Sequence, residues 1–142
     1  MSTLFTGGCA CGAVRYQCDA EPLLAFNCHC RDCQRASGTA FAAILRIPTA
    51  GFTVTKGEPK FYTVTGNSGN TVSRGFCPAC GSPLFSRLSG MSDVVGVRVG
   101  SLDDPSHYRA AMDIFVASAQ PWDHMSPELP KFPGYPQGVG PK

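Results

Sequence analysis

Seven of the eight cysteines in this chain of 142 residues fall into three short groups, and their spacing limits the possible folds more than any other feature. Cys9 and Cys11 are one residue apart. Cys28, Cys30 and Cys33 lie within Cys28-His29-Cys30-Arg31-Asp32-Cys33, and Cys77 and Cys80 flank Pro78-Ala79. Pairs separated by one residue are awkward for a disulfide and common among metal ligands. A secretory signal needs a basic start and an apolar stretch of ~7–15 residues. Met1 to Gly8 reads Met-Ser-Thr-Leu-Phe-Thr-Gly-Gly instead. The expected compartment is therefore the cytoplasm, where thiols stay reduced or bind metal. The longest wholly apolar run, Ala40 to Leu45, is far short of the ~20 residues of a membrane span, so no membrane association is expected.

The rest of the chain reads as a β-domain. Short runs rich in Val, Phe, Thr and Tyr recur between Gly, Pro, Asn and Asp breakers. Ala13–Cys18 alternates, with Val14, Tyr16 and Cys18 on one face and Arg15 and Gln17 on the other. Further strands are expected at Phe41–Ile47, Phe52–Thr55, Lys60–Thr65, Thr71–Phe76, Pro83–Arg87, Val94–Val99 and Met112–Ala117. Turns are expected at Lys56-Gly57-Glu58-Pro59, Gly66-Asn67-Ser68-Gly69-Asn70 and Asp103-Asp104-Pro105. Arg31–Ser37 is the one helical stretch, ended by Gly38 as a left-handed cap. The length suits one domain able to bury roughly 70% of its unfolded surface. We place that domain at residues 1–120. Six prolines, Pro121, Pro127, Pro130, Pro133, Pro136 and Pro141, set apart a tail at 121–142. Such a tail lies extended on the body or trails from it.

Cys77-Pro78-Ala79-Cys80-Gly81 has the form of a zinc knuckle, two thiolates on a tight turn followed by a permissive glycine. A closed zinc site wants four ligands, and Cys9 and Cys11 offer the other two. The group Cys28, Cys30 and Cys33 supplies three thiolates, which can converge on one ion and leave a fourth coordination position for a substrate. A soft ion there favours a thiol and lowers its pKa. A different partition, with Cys28 or Cys30 exchanged into the first set, is open on sequence grounds. His29, between two ligands, is expected to point away from them, toward solvent or backbone. Cys18 is left over and reads as a buried, inert thiol.

The order Gly8-Cys9-Ala10-Cys11-Gly12, Cys28-His29-Cys30-Arg31-Asp32-Cys33 and Phe76-Cys77-Pro78-Ala79-Cys80-Gly81 resembles the glutathione-dependent formaldehyde-activating enzyme family, which includes centromere protein V. Asp113-Ile114-Phe115-Val116-Ala117-Ser118, Pro121-Trp122-Asp123 and Leu129-Pro130-Lys131-Phe132-Pro133 extend the likeness over most of the chain. The resemblance implies a β-tent of two antiparallel sheets pinned by zinc. It implies a structural zinc at Cys9, Cys11, Cys77 and Cys80, and a second, labile and catalytic zinc at Cys28, Cys30 and Cys33. The implied activity is a carbon–sulfur lyase reaction that joins or separates glutathione and formaldehyde.

On that basis the chain is expected to be a zinc-dependent carbon–sulfur lyase acting on a glutathione–aldehyde adduct or a related small thiol adduct. The alternatives are a non-enzymatic, zinc-stabilised binding module and a thiol redox protein; buried Cys18 fits the latter poorly as a resolving partner. Arg31, Arg35 and Arg46 are candidates to grip an anionic tripeptide, although as isolated arginines they also fit a solvated surface. Trp122 either lines the mouth of the site or anchors the tail in the core. A net charge of +2 with no clustered basic face argues against nucleic acid as a partner.

Overall fold

Two strand faces organise the molecule, and alternating residues decide which side chain goes to which. The computed structural model describes residues 3–66 and 69–141, so Met1, Ser2, Lys142 and the expected turn residues Asn67 and Ser68 lie outside the described residues. The elements are β1 (Phe5–Gly8), β2 (Arg15–Cys18), β3 (Leu24–Cys28), α1 (Arg31–Ser37), β4 (Ala42–Pro48), β5 (Phe52–Lys56), β6 (Lys60–Thr65), β7 (Thr71–Phe76), β8 (Pro83–Leu88), β9 (Met91–Arg98) and β10 (Met112–Ile114). A small sheet runs β1-β2-β5, and a large one runs β10-β3-β4-β9-β8-β7-β6. The fold is mainly β with two sheets and one α-helix, as expected.

One correction concerns the large sheet, which is mixed and not wholly antiparallel. β10 lies parallel to β3, with Met112, Asp113 and Ile114 beside Phe26, Asn27 and Cys28. A parallel partner needs a crossover of a dozen or more residues. The stretch from 99 to 111 supplies it, passing β1 through a Gly7–Leu102 bridge. The expected strand Met112–Ala117 therefore stops at Ile114. Phe115 turns the chain with φ of 58°, and Val116–Ser118 forms a single 3₁₀ turn. A left-handed phenylalanine is costly. Here it is held by its amide on the Gly134 carbonyl and its ring on Tyr135 at 4.9 Å between centroids.

The core lies between the sheets. Val14, Tyr16, Cys18 and Phe52 from the small sheet and its approach meet Leu45, Ile47, Phe85, Val95 and Val97 from the large one. Phe52 stacks on both Tyr16 and Phe85, at 5.2 and 4.7 Å. The buried Tyr16 hydroxyl is satisfied by the Ser101 hydroxyl at 2.6 Å, as buried phenols require. The other face of the large sheet carries Phe26, Cys28, Ile44, Arg46, Arg74, Ser86, Gly96 and Arg98, and this face lines a cavity. Successive residues of a strand thus serve different ends: Val97 fills the core and Arg98 the cavity.

The tail folds back along β10. Phe132 donates its amide to the Asp113 carbonyl, Asp113 donates to Pro130, and Val116 donates to Phe132. Arg46 holds the far end through the Val139 carbonyl at 2.7 Å. Trp122 is neither a core anchor nor a cavity residue: it is 62% exposed.

Candidate active site

The two turns bearing the outer cysteine pairs are brought together by the sheets. Cys9 and Cys11 sit in the β1–β2 turn, Cys77 and Cys80 in the β7–β8 turn. Their four sulfurs lie within 4.8 Å of one another. The Cys9–Cys11 and Cys11–Cys77 Sγ separations are both 3.7 Å. This is far beyond a disulfide, and all eight cysteines are free. A tetrahedron with metal–sulfur bonds of ~2.3 Å has edges of ~3.8 Å, so the sulfurs are already at ligand spacing. Amides point at them too: Val14 N donates to Cys9 Sγ at 3.2 Å and Ala79 N to Cys77 Sγ at 3.4 Å. Ser82's hydroxyl and amide hold the Cys80 thiol down to about 5. The Ala13 amide favours the Cys11 thiolate, but hydrogen bonds with Cys9 and Cys80 outweigh it and push Cys11 up to about 11. Four thiols that share charge in this way fit a divalent soft cation.

The second group forms at the β3–α1 junction. Cys28 ends β3, Cys30 is the N-cap of α1, its Sγ accepting from the Cys33 amide at 3.3 Å, and Cys33 lies in the first turn. Asp32 accompanies them in that turn. The three sulfurs are also within 4.8 Å of one another, and no fourth His, Cys, Asp or Glu joins them among the described residues. Hydrogen bonds from Cys28 and Cys30, helped by the charges of Arg98 and Arg74, hold the Cys33 thiol well below the ordinary range. The Cys28 thiol is driven upward by hydrogen bonds with Cys30 and Cys33 and by burial. The donor set fits a second metal ion with one coordination position left for a ligand. The structure thus pairs the cysteines as four and three, and the alternative partition does not arise. Cys18, fully buried, joins neither, and burial pushes its thiol up to about 12.

The three thiols open onto a cavity of about 760 Å³. That is within the ~300–1,000 Å³ of small-ligand sites. Phe26, Ile44, Val94, Ile114 and Phe115 make its apolar walls, Arg74, Arg98 and Ser86 its polar floor, and Tyr135 and Pro141 of the tail part of its rim. A second cavity of about 500 Å³ lies beyond Arg98, against Cys9, Ser82 and Asp103, and does not reach the three thiols.

Sequence reasoning misassigned several neighbours of this site. His29 does turn away from the thiols, but into the interior and not to solvent. It is fully buried, its Nε2 2.8 Å from Asp113 Oδ1 and its Nδ1 3.0 Å from Asp123 Oδ2, the latter short in distance but poorly aligned. Its amide donates to Ile114 and its carbonyl accepts from Gln34. Burial alone would raise the Asp113 carboxyl, but hydrogen bonds from His29 and Lys131 outweigh it and hold it below the usual range. Of the expected arginines, only Arg46 reaches the cavity, where its guanidinium is engaged by Val139 and the Phe26 ring. Arg31 is turned to Gln34, and neither Arg31 nor Arg35 lines the cavity. The arginines that do face it freely are Arg74 and Arg98. Strand alternation alone does not mark them, because Arg46, Arg74 and Arg98 all occupy the cavity-side phase of their strands.

No helix among the described residues is long and apolar enough to cross a membrane. Among solved structures, the fold is similar to the crystal structure of a Rhodobacter sphaeroides protein, at 24% identity and a TM-score of 0.56, covering 69% of this chain and 87% of that one. At that identity the likeness speaks for the fold. The family model described as "Glutathione-dependent formaldehyde-activating enzyme" matches residues 4–118, a span that holds all seven clustered cysteines and all three cavity arginines. The chain belongs to the glutathione-dependent formaldehyde-activating enzyme family.

Proposed function

We propose that the protein is a cytoplasmic zinc-dependent carbon–sulfur lyase that makes or breaks the adduct between a small thiol such as glutathione and an aldehyde such as formaldehyde. The observation that carries this reading is the three-thiol group at the edge of a cavity large enough for a small thiol. Cys9, Cys11, Cys77 and Cys80 would hold a structural zinc, and Cys28, Cys30 and Cys33 a labile one. Zinc bound to the three thiols supplies Lewis acidity and stabilises negative charge on sulfur.

The chain's own residues supply the rest. The apolar walls lower the effective dielectric around a bound ligand and so strengthen charge interactions there. Arg74 and Arg98 bias the site toward anions, which favours a substrate thiolate over its thiol. Holding thiol and aldehyde side by side makes the encounter effectively unimolecular. In the breaking direction the carbon–sulfur bond of the hydroxymethyl adduct opens and its electron pair stays on sulfur. The hydroxyl oxygen becomes the aldehyde carbonyl, and its proton leaves to solvent. The forming direction reverses each movement.

Exchange NMR between formaldehyde and its glutathione adduct tests the reading, with glutathione binding followed by calorimetry. Cys30→Ser is expected to abolish the acceleration while circular dichroism stays native. Metal analysis is expected to give two zinc per chain for wild type and one for Cys28→Ser, with Cys77→Ser losing zinc and fold stability together. Absence of both acceleration and glutathione binding in wild type would remove the lyase assignment. Full function in Cys30→Ser would favour a zinc-stabilised binding module.

A further inference from the structure

Arg74 and Arg98 are the cavity arginines with donors left unpaired and no carboxylate partner. Arg98 is only 7% exposed, and its Nη1 has no hydrogen-bond partner. Arg74 is half-buried and its Nε is likewise without a partner; its Nη2 stands 3.8 Å from Cys33 Sγ. Among the described residues neither guanidinium has a carboxylate within ion-pair distance, whereas Arg15 is paired with Asp103. Buried guanidinium donors are normally satisfied, so these open donors call for an acceptor from outside the chain.

The two side chains also share a built floor. Arg74 pairs across the sheet with Ser86, and Ser86 with Gly96; Arg98 follows two residues on along the same strand and the same face. Gly96 keeps that floor clear: a Cβ there would lie 3.0 Å from Ser86 Oγ and 3.2 Å from an Ile44 methyl. The charges converge as well. Three thiolates around a divalent cation carry one net negative charge and Asp32 a second; Arg46, Arg74 and Arg98 carry three positive charges, which leaves one net positive charge that a single anion neutralises.

We infer that Arg74, Arg98 and Ser86 form an oxyanion subsite that holds a carboxylate of the thiol substrate beside the three-cysteine group, so that the site selects acidic thiols over neutral ones. This deepens the proposed lyase reading and rests on it for the position of the substrate sulfur. Planar guanidinium groups suit a carboxylate because two parallel N–H donors match its two oxygens. The Arg74–Cys33 distance of 3.8 Å puts the subsite within a few bonds of any sulfur held at the thiol group. The substrate class is therefore a mercapto-carboxylate or its aldehyde adduct.

The test is calorimetric titration of the zinc-loaded protein with 3-mercaptopropionate and, as its neutral match, 3-mercapto-1-propanol. The acid is expected to bind at least about tenfold more tightly, the scale of a charge-assisted pair. Arg74→Gln and Arg98→Gln should each bring the ratio below about threefold by weakening acid binding alone, and Arg98→Lys should restore part of it. Arg74, being half-buried, serves if Arg98→Gln fails to fold. Equal affinity of wild type for the two thiols, or a ratio unmoved in the folded variants, overturns the subsite. If neither thiol binds, the thiol-binding reading fails by itself. Titration with propionate, followed on the arginine Nε–Hε NMR signals, then decides the subsite: shifts that are lost in the glutamine variants support it, and unmoved signals overturn it.

Discussion

Replacing His29 with alanine should cost more stability than its size suggests, because it strands two carboxylates in the interior. The Asp113 side chain is 2% exposed and that of Asp123 7%. Breaking a buried pair by removing one partner costs about 3–5 kcal/mol. Asp113 retains Lys131 Nζ at 2.9 Å, a partner 30% exposed, so most of the penalty falls on Asp123. Asp123 Oδ2 has no aligned hydrogen bond even in the wild type. We therefore expect the lower end, about 3 kcal/mol, and at ~3 °C per kcal/mol for a chain of this size a melting temperature about 10 °C lower. The assay is thermal and urea unfolding of wild type, His29→Ala, Asp113→Asn/Asp123→Asn and the triple variant, with metal content measured throughout. With the carboxylates neutralised, His29→Ala should cost distinctly less, only the loss of a packed ring and a neutral hydrogen bond. A cost below about 1 kcal/mol in the wild-type background, or the same cost in both backgrounds, would refute the reasoning.

Two further outcomes follow from the edges of the small sheet. Arg15 and Thr6 hold the Asp103 carboxyl down to about 2 against an ordinary 3.8. Because the folded value is the lower one, the stabilisation is full above pH ~4 and fades as pH falls toward 2. The pair is partly exposed, so it is worth under about 1 kcal/mol. Urea midpoints of wild type and Asp103→Asn should differ at pH 5 and merge near pH 2; a gap that persists at pH 2 would contradict the assignment. Gly7→Ala should destabilise by about 1–3 kcal/mol, measured as a lower urea midpoint, since its Cβ would lie 2.3 Å from Tyr16 Oη and 2.5 Å from the Ser101 carbonyl. An unchanged midpoint would mean that the β1–β2 approach is looser than described.

The cysteine groups and much of the β pattern were legible because both are local. Cys-x-Cys and Cys-x-x-Cys spacings carry ligand geometry in themselves, and alternation at 13–18 states which side chains are buried. Gly38 marked the helix end, and its φ of 74° is the left-handed cap that was expected. β1 was not legible because Gly7-Gly8 has the composition of a turn; it is a strand because Tyr16 and the Ser101 carbonyl leave no room for a side chain. β3 was hidden by its cysteines, which drew attention to Cys28 as a ligand and away from Leu24, Phe26 and Cys28 as one face of a strand. His29 was misjudged because its partners, Asp113 and Asp123, lie 84 and 94 positions away and meet it only through the parallel β3–β10 pairing. Arg74 and Arg98 escape a sequence reading for a similar reason: like Arg46, which was a candidate, they sit at cavity phases of strands, and only tertiary contacts show that Arg46 is engaged by the tail while they are not.

The division of each central strand between two faces has a consequence for how such a chain can change. Val95 and Val97 pack in the core between the sheets, whereas Val94, Gly96 and Arg98, interleaved with them, line the cavity. Substitutions that share no partner combine nearly additively. Cavity positions can therefore be exchanged while the packing that holds the sheets together is left as it was. The reverse does not hold, since a slip of one residue along β9 would carry Arg98 into the core and Val97 onto the floor. Register is thus guarded by the cost of burying a charge, and within that register the ligand preference is free to drift. One scaffold of this kind can serve a series of different small ligands without redesigning its interior.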